Sequence, residues 1–184
     1  MIFYNYYKEN IAFLQALEKF GNYECYFDGC KNITRLELLR TVFPDTRVVH
    51  LIKNPNAYLH SVLKRGNKNY KKFVDAWFRY NINARRYKEK LGQQKYLLVC
   101  YEDLVRNPAH VLKKVFDIIG IPVYETSINP RVNMGRVHVI GNKMKNSFKK
   151  IEDRSPNWRE ELKQNQKVYI ERKKAESNWI KSIY

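Results

Sequence analysis

Short apolar runs alternate with helix-spaced ones along this chain. Ile11, Leu14 and Leu17, with Phe13 and Phe20, recur at helical spacing and predict an amphipathic helix near the start. Tyr23 to Phe27 reads as a first strand ending at Asp28-Gly29. A helix follows over Ile33 to Val42, stopped by Pro44-Asp45, and the β-branched run Val48 to Ile52 predicts a buried second strand. Helices are expected from about Pro55 to Lys64 and from about Tyr70 to Leu91, the second closed by Gly92. The run Tyr96 to Cys100 predicts a third strand. Asn107-Pro108 then opens a helix, carried by Val111, Leu112, Val115, Phe116 and Ile119 and capped by Gly120. Residues 124–151 read as irregular and polar, and 156–174 as a charged helical tail. Strands alternating with helices imply an α/β fold, a parallel sheet flanked by helices. No repeat or linker divides the 184 residues, so a single domain is expected, with 156–184 as its helical tail.

Composition narrows the class without naming a function. A hydrophobic share of 44% with 14% aromatics argues for a folded globule. No run of eighteen apolar residues predicts a membrane span, and the start lacks a secretory pattern. The balance of 35 basic to 18 acidic residues, a net charge of +17, favours anionic partners. Lys64 to Lys90 is the richest run. A helix there with Phe73, Trp77 and Tyr80 inward would leave its cations on a solvated face. Cys25, Cys30 and Cys100 form no CxxC and no metal-like spacing with histidine; Cys25 and Cys30 are placed to pair only across a short turn.

In an open α/β sheet, ligands gather at the carboxyl ends of strands. Three segments therefore become candidates: Asp28 to Lys31, Lys53 to Ser61, and Tyr101 to Asp103. Lys53 ends the second strand, Pro55 follows two residues on, and Ser61 lies eight residues on in the next helix. A cation at a strand end with a hydroxyl on the following helix suits a terminal phosphate.

The Lys53-x-Pro55…Ser61 spacing resembles the motif with which sulfotransferases hold the 3′-phosphate of their sulfate donor. Three more stretches match that family in order. Asp28-Gly29-Cys30-Lys31, followed by Arg35-Leu36 and Phe43-Pro44, looks like the segment preceding the phosphate strand in carbohydrate-type members. Tyr101-Glu102-Asp103-Leu104 with Asn107-Pro108 is similar to the YEDL…P signature. His138 to Lys145, with Asp153 and Trp158 beyond, resembles the HxxxGNxxR…D…W block. Lys53 and Lys145 stand where arginine is usual, which keeps the charge but loses the bidentate fork.

The resemblance implies a donor, 3′-phosphoadenosine 5′-phosphosulfate (PAPS), with adenosine 3′,5′-bisphosphate (PAP) as product, no metal, and a hydroxyl-bearing acceptor, a carbohydrate by its nearest type. Lys53 and Ser61 would hold the 3′-phosphate, and Tyr101 the adenine. Gly141, Asn142 and Lys145 would close over the nucleotide. Lys31 would offset charge at the sulfuryl group, and Asp28 is the best visible general base. Each also has a plain reading. Ser61 suits a polar helix position, Tyr101 a strand-end aromatic, Asp28 a turn former, Lys31 a surface lysine, and Glu102-Asp103 helix-start charges with no catalysis assigned. His50, His60 and His110 read as packing or surface; His138 lies in the matched loop.

None of the seven glycines heads the PxSGTT-like loop with which the family binds the 5′-phosphosulfate. The expectation is therefore a carboxyl-terminal portion of a sulfotransferase, inactive by itself. The rival reading is a non-catalytic basic module that binds heparin-like glycan or nucleic acid through Lys64 to Lys90; nucleic acid is not favoured. Compartment stays open between the cytoplasm of a bacterium and a lumen reached through an upstream anchor.

Overall fold

Among the described residues, four asparagine side chains cap helix starts, and they bracket the two described strands. The computed structural model describes residues 2–20, 25–29, 31–123, 151 and 157–184. Helix α1 (Ile2–Phe20) packs on α2 (Ile33–Val42), whose first turn is capped by Asn32 accepting from the Thr34 amide at 2.9 Å. Strand β1 (Val48–Ile52) leads into α3 (Pro55–Leu63), where Asn54 caps and Pro55 takes the first helical position. Asn69 caps α4 (Tyr70–Arg85), and a short α5 (Tyr87–Leu91) follows. A 3-10 turn, Gln93–Lys95, delivers the chain to β2 (Tyr96–Cys100). Helix α6 (Tyr101–Arg106) starts directly from β2, and Asn107 caps α7 (Pro108–Ile119). After residue 156 come α8 (Trp158–Glu161), α9 (Gln164–Ala175) and α10 (Asn178–Lys181). An asparagine cap contributes about 1 kcal/mol, because it satisfies a backbone N–H that the helix leaves open.

Among the described residues the sheet has two strands, β1 and β2, paired in parallel from Val48↔Tyr96 to Ile52↔Cys100. This bears out the parallel α/β expectation in a helix-rich form. Residues 25–27 form no strand, and 23–24 lie outside the described residues, so the expected first strand is not seen. Nor is β1 buried throughout. His50 and Ile52 face inward, while Leu51 is 53% exposed.

The core gathers Ile52 from β1, Leu59 from α3, and Val74, Trp77 and Phe78 from α4. Leu162, Ile170 and Ile180, from the segment expected to be merely charged and helical, complete it. The buried stripe of α4 is thus rotated from the expected Phe73–Trp77–Tyr80 face, and Tyr80 is 54% exposed. Val74, Trp77 and Phe78 sit at i, i+3 and i+4, the stripe that meets α3 and α9. Phe13 and Phe20 are likewise exposed, while Leu14 of α1 is buried. Gly120 closes α7 at φ +80°, where a side chain would be strained and a Cβ would stand 2.9 Å from the Arg47 guanidinium.

One buried polar network crosses the sheet. The Tyr96 hydroxyl lies 2.6 Å from His50 Nδ1, and His50 Nε2 lies 2.8 Å from Asn81 Oδ1. Asn81 in turn donates to the Trp77 carbonyl. Asn81 Oδ1 can only accept, which assigns the proton to Nε2 and makes Nδ1 the acceptor from tyrosine. Burial pushes His50 below its ordinary 6.5, against the Asn81 hydrogen bond and with help from Arg85. Burial also pushes Tyr96 up to about 12. A depressed histidine contributes stability that is present above its ordinary pKa and is lost as pH falls through the folded value. Chemical denaturation should show the chain losing up to about 1.4 kcal/mol per pH unit below about 6.5. His50→Gln should flatten that loss between about pH 7.5 and about 5.5, above the range where ordinary carboxylates titrate. Equal slopes in both chains would contradict the assignment.

Candidate functional site

Parallel pairing sends both strands out of the sheet at the same end. Ile52 and Cys100 form the last pair, so Lys53 and Tyr101 emerge side by side. The Lys53 ammonium sits 4.3 Å from the centre of the Tyr101 ring, a cation–π contact between two residues chosen from separate motifs. Tyr101 follows β2 directly, at the strand end as expected, and is the first residue of α6.

Beyond Lys53, the Asn54 side chain accepts from the Asn56 amide at 2.9 Å and starts α3. Ser61 is half-buried on that helix, about 9 Å along its axis from Pro55 by helical rise. The Ser61 carbonyl accepts from Arg65 Nε at 3.1 Å, which brings a second, exposed cation to the same turn. Arg65 was not singled out from sequence; its four-residue offset from Ser61 is the signal that could have found it.

Glu102 is the residue that sequence reasoning undervalued. Its Oε1 accepts from the Asn54 amide at 2.9 Å, and its Oε2 accepts from the Tyr184 hydroxyl at 3.1 Å. The Tyr184 hydroxyl is held well above the ordinary phenol range by burial, with the Glu102 carboxylate and Cys100 beside it. Asp103, by contrast, is exposed and pairs with Arg106 at 3.6 Å, as a helix-start charge should. Burial pushes the Cys100 thiol up, which suits packing rather than reactivity, and Cys25 and Cys100 are both free thiols.

Asp28 faces Arg35 of α2, with the guanidinium Nε 2.6 Å from Oδ2 and both side chains 12% exposed. Arg35 also donates to Asn10, so this cluster fastens residues 25–29 to α1 and α2. The ion pair engages one oxygen of the proposed base. Lys31 is exposed. His138, Gly141, Asn142 and Lys145 lie outside the described residues. Of the histidines, His60 is 3% exposed and bonded to Glu161 at 2.9 Å, while His110 is at the surface. Among the described residues, no group of three or more His, Cys, Asp or Glu is placed to hold a metal ion. None of the described helices is long and apolar enough to cross a membrane. The exposed side of α4 carries Lys71, Lys72 and Arg79, as its solvated-face reading expects.

A model of the family described as "Sulfotransferase family" matches residues 5–126. The chain belongs to the sulfotransferase family. In structure it is similar to the sulfotransferase domain of the olefin synthase from Synechococcus PCC 7002, with a TM-score of 0.64 and 24% identity over 77% of this chain. It is equally similar to the sulfotransferase domain from the curacin biosynthetic pathway, with a TM-score of 0.64 and 21% identity over 79% of this chain. Identities this low speak to the fold alone. The chain spans 54% and 58% of those two domains. No curated protein sequence matches it.

Proposed function

We propose that this sulfotransferase-family chain supplies the 3′-phosphate and adenine half of a PAPS site at the carboxyl ends of β1 and β2, in an enzyme that transfers a sulfuryl group to an acceptor hydroxyl. The observation that carries the reading is the contact between Lys53 and Tyr101, with the Ser61-bearing helix capped at Asn54 and beginning at Pro55, two residues after Lys53. The fit to a nucleotide phosphate is chemical: an ammonium and a hydroxyl donate hydrogen bonds, and the ammonium and the helix start attract negative charge.

Bound there, the donor supplies a sulfuryl group activated by its anhydride link to phosphate. Lys53 and Ser61 hold the 3′-phosphate, and Tyr101 faces the adenine. Because the Lys53 ammonium lies against the Tyr101 ring, a base stacking on Tyr101 takes the other face or displaces the lysine. Lysine in place of the family's arginine gives a point charge without a fork, so orientation of the phosphate falls to Ser61 and the helix start. On the resemblance of their motifs, Gly141, Asn142 and Lys145 are assigned to the nucleotide, Lys31 to the charge developing toward sulfur, and Asp28 to the acceptor proton. The acceptor class is a carbohydrate, supported by the Asp28 to Pro44 resemblance.

Removing an ammonium and a hydroxyl from one phosphate should cost about tenfold or more in affinity. The Lys53→Ala, Ser61→Ala double variant should therefore lose that much for PAP in calorimetric titration, and far less for AMP, which has no 3′-phosphate. Equal losses for the two ligands would sink the 3′-phosphate assignment. Purified residues 1–184 should bind PAP without moving sulfate to a test sugar, since no stretch of the sequence resembles the 5′-phosphosulfate loop. Measured transfer would contradict that half-site reading.

A further inference from the structure

We propose that Glu102 is a positioning residue, tied through Tyr184, that locks the spacing and orientation of Lys53 and Tyr101. The inference rests on the nucleotide reading of these two residues and adds what holds them. The parallel ladder ends at Ile52↔Cys100, so Lys53 and Tyr101 stand one step beyond the last strand pair. Glu102 follows Tyr101, and Asn54 follows Lys53. The Glu102–Asn54 hydrogen bond, at 2.9 Å, therefore carries the strand-to-strand connection past the ladder and around the proposed ligand residues.

A single carboxylate oxygen on one amide would leave the side chain free to rotate. The second oxygen removes that freedom, because it accepts the Tyr184 hydroxyl at 3.1 Å. Tyr184 is itself anchored: its amide donates to the Ile180 carbonyl at 3.1 Å, and its carbonyl accepts from Lys174 Nζ at 2.8 Å. Ile180 is fully buried in the core. The path from core to site is thus Ile180, Tyr184, Glu102, Asn54, and it ends beside Lys53. Two hydrogen bonds also fix where the carboxylate oxygens point, as a residue next to a phosphate-binding cation requires. Glutamine can keep an acceptor oxygen for Asn54, whereas alanine removes the tie altogether.

Two readouts separate the tie from the donor reading. In the ligand-free chain, Glu102→Ala should speed hydrogen exchange at the Asn54 amide, and Glu102→Gln should largely preserve its protection. In titrations, Glu102→Ala should reduce the preference for PAP over AMP by about tenfold while the protein stays folded by tyrosine and tryptophan fluorescence, with Glu102→Gln restoring most of it. Should the alanine variant fail to fold, Tyr184→Phe keeps the ring and removes only the donor. It should then show a smaller loss of the same preference. An unchanged PAP preference and unchanged Asn54 exchange in the folded variants would overturn the positioning role and leave the nucleotide site standing. Absence of PAP binding by the unmodified chain would overturn the nucleotide reading, and with it any role for Glu102 in that binding.

Discussion

The parallel pairing of β1 with β2 is the constraint from which the rest of the site follows. Parallel strands leave a sheet at the same end, and each here passes straight into a helix. That geometry places a cation and an aromatic ring from residues 48 positions apart within one contact, with a helix start beside them. An antiparallel pairing of the same two runs would put Lys53 and Tyr101 at opposite ends of the sheet. The register matters as much as the direction, because a one-residue slip would turn every side chain of the strand to the other face. The His50–Tyr96 hydrogen bond joins the two strands from within, and a one-residue slip would turn those two side chains to opposite faces.

Support for this pair of strands comes from the helices packed against it. Ile52, Leu59, Trp77 and Phe78 close over the sheet, and Leu162, Ile170 and Ile180 return from the far end of the chain to seal them. The same returning segment carries Tyr184, so the element that completes the core also reaches Glu102 at the strand ends. Stability and site geometry share that route, which links packing at Ile180 to orientation at Lys53.

Much of this was legible in the sequence where local signals were strong. The bounds of β1, β2 and α2 follow from β-branched or apolar runs punctuated by proline, glycine and asparagine, and both strands fell where expected. Lys53 and Tyr101 stand at strand ends, which local pattern reveals. Contacts between distant segments were not legible. Glu102 looks like any acidic residue in a first helical turn, and its partners lie 48 and 82 positions away. The buried stripe of α4 was misjudged because Phe73, Trp77 and Tyr80 also satisfy helical spacing; only the neighbours α3 and α9 select Val74 and Phe78. The tail's three core residues are spaced by eight and ten positions across a break at Glu176-Ser177, so no single period reveals them.

The carboxyl ends of the two parallel strands are proposed as a site for a 3′-phosphorylated adenine nucleotide. A crystal structure of the chain grown with PAP tests the proposal most directly. The 3′-phosphate should lie within hydrogen-bond reach of Lys53 Nζ and Ser61 Oγ, with the adenine against Tyr101. Nucleotide bound elsewhere, or bound there with its 3′-phosphate turned away from Lys53 and Ser61, would contradict it.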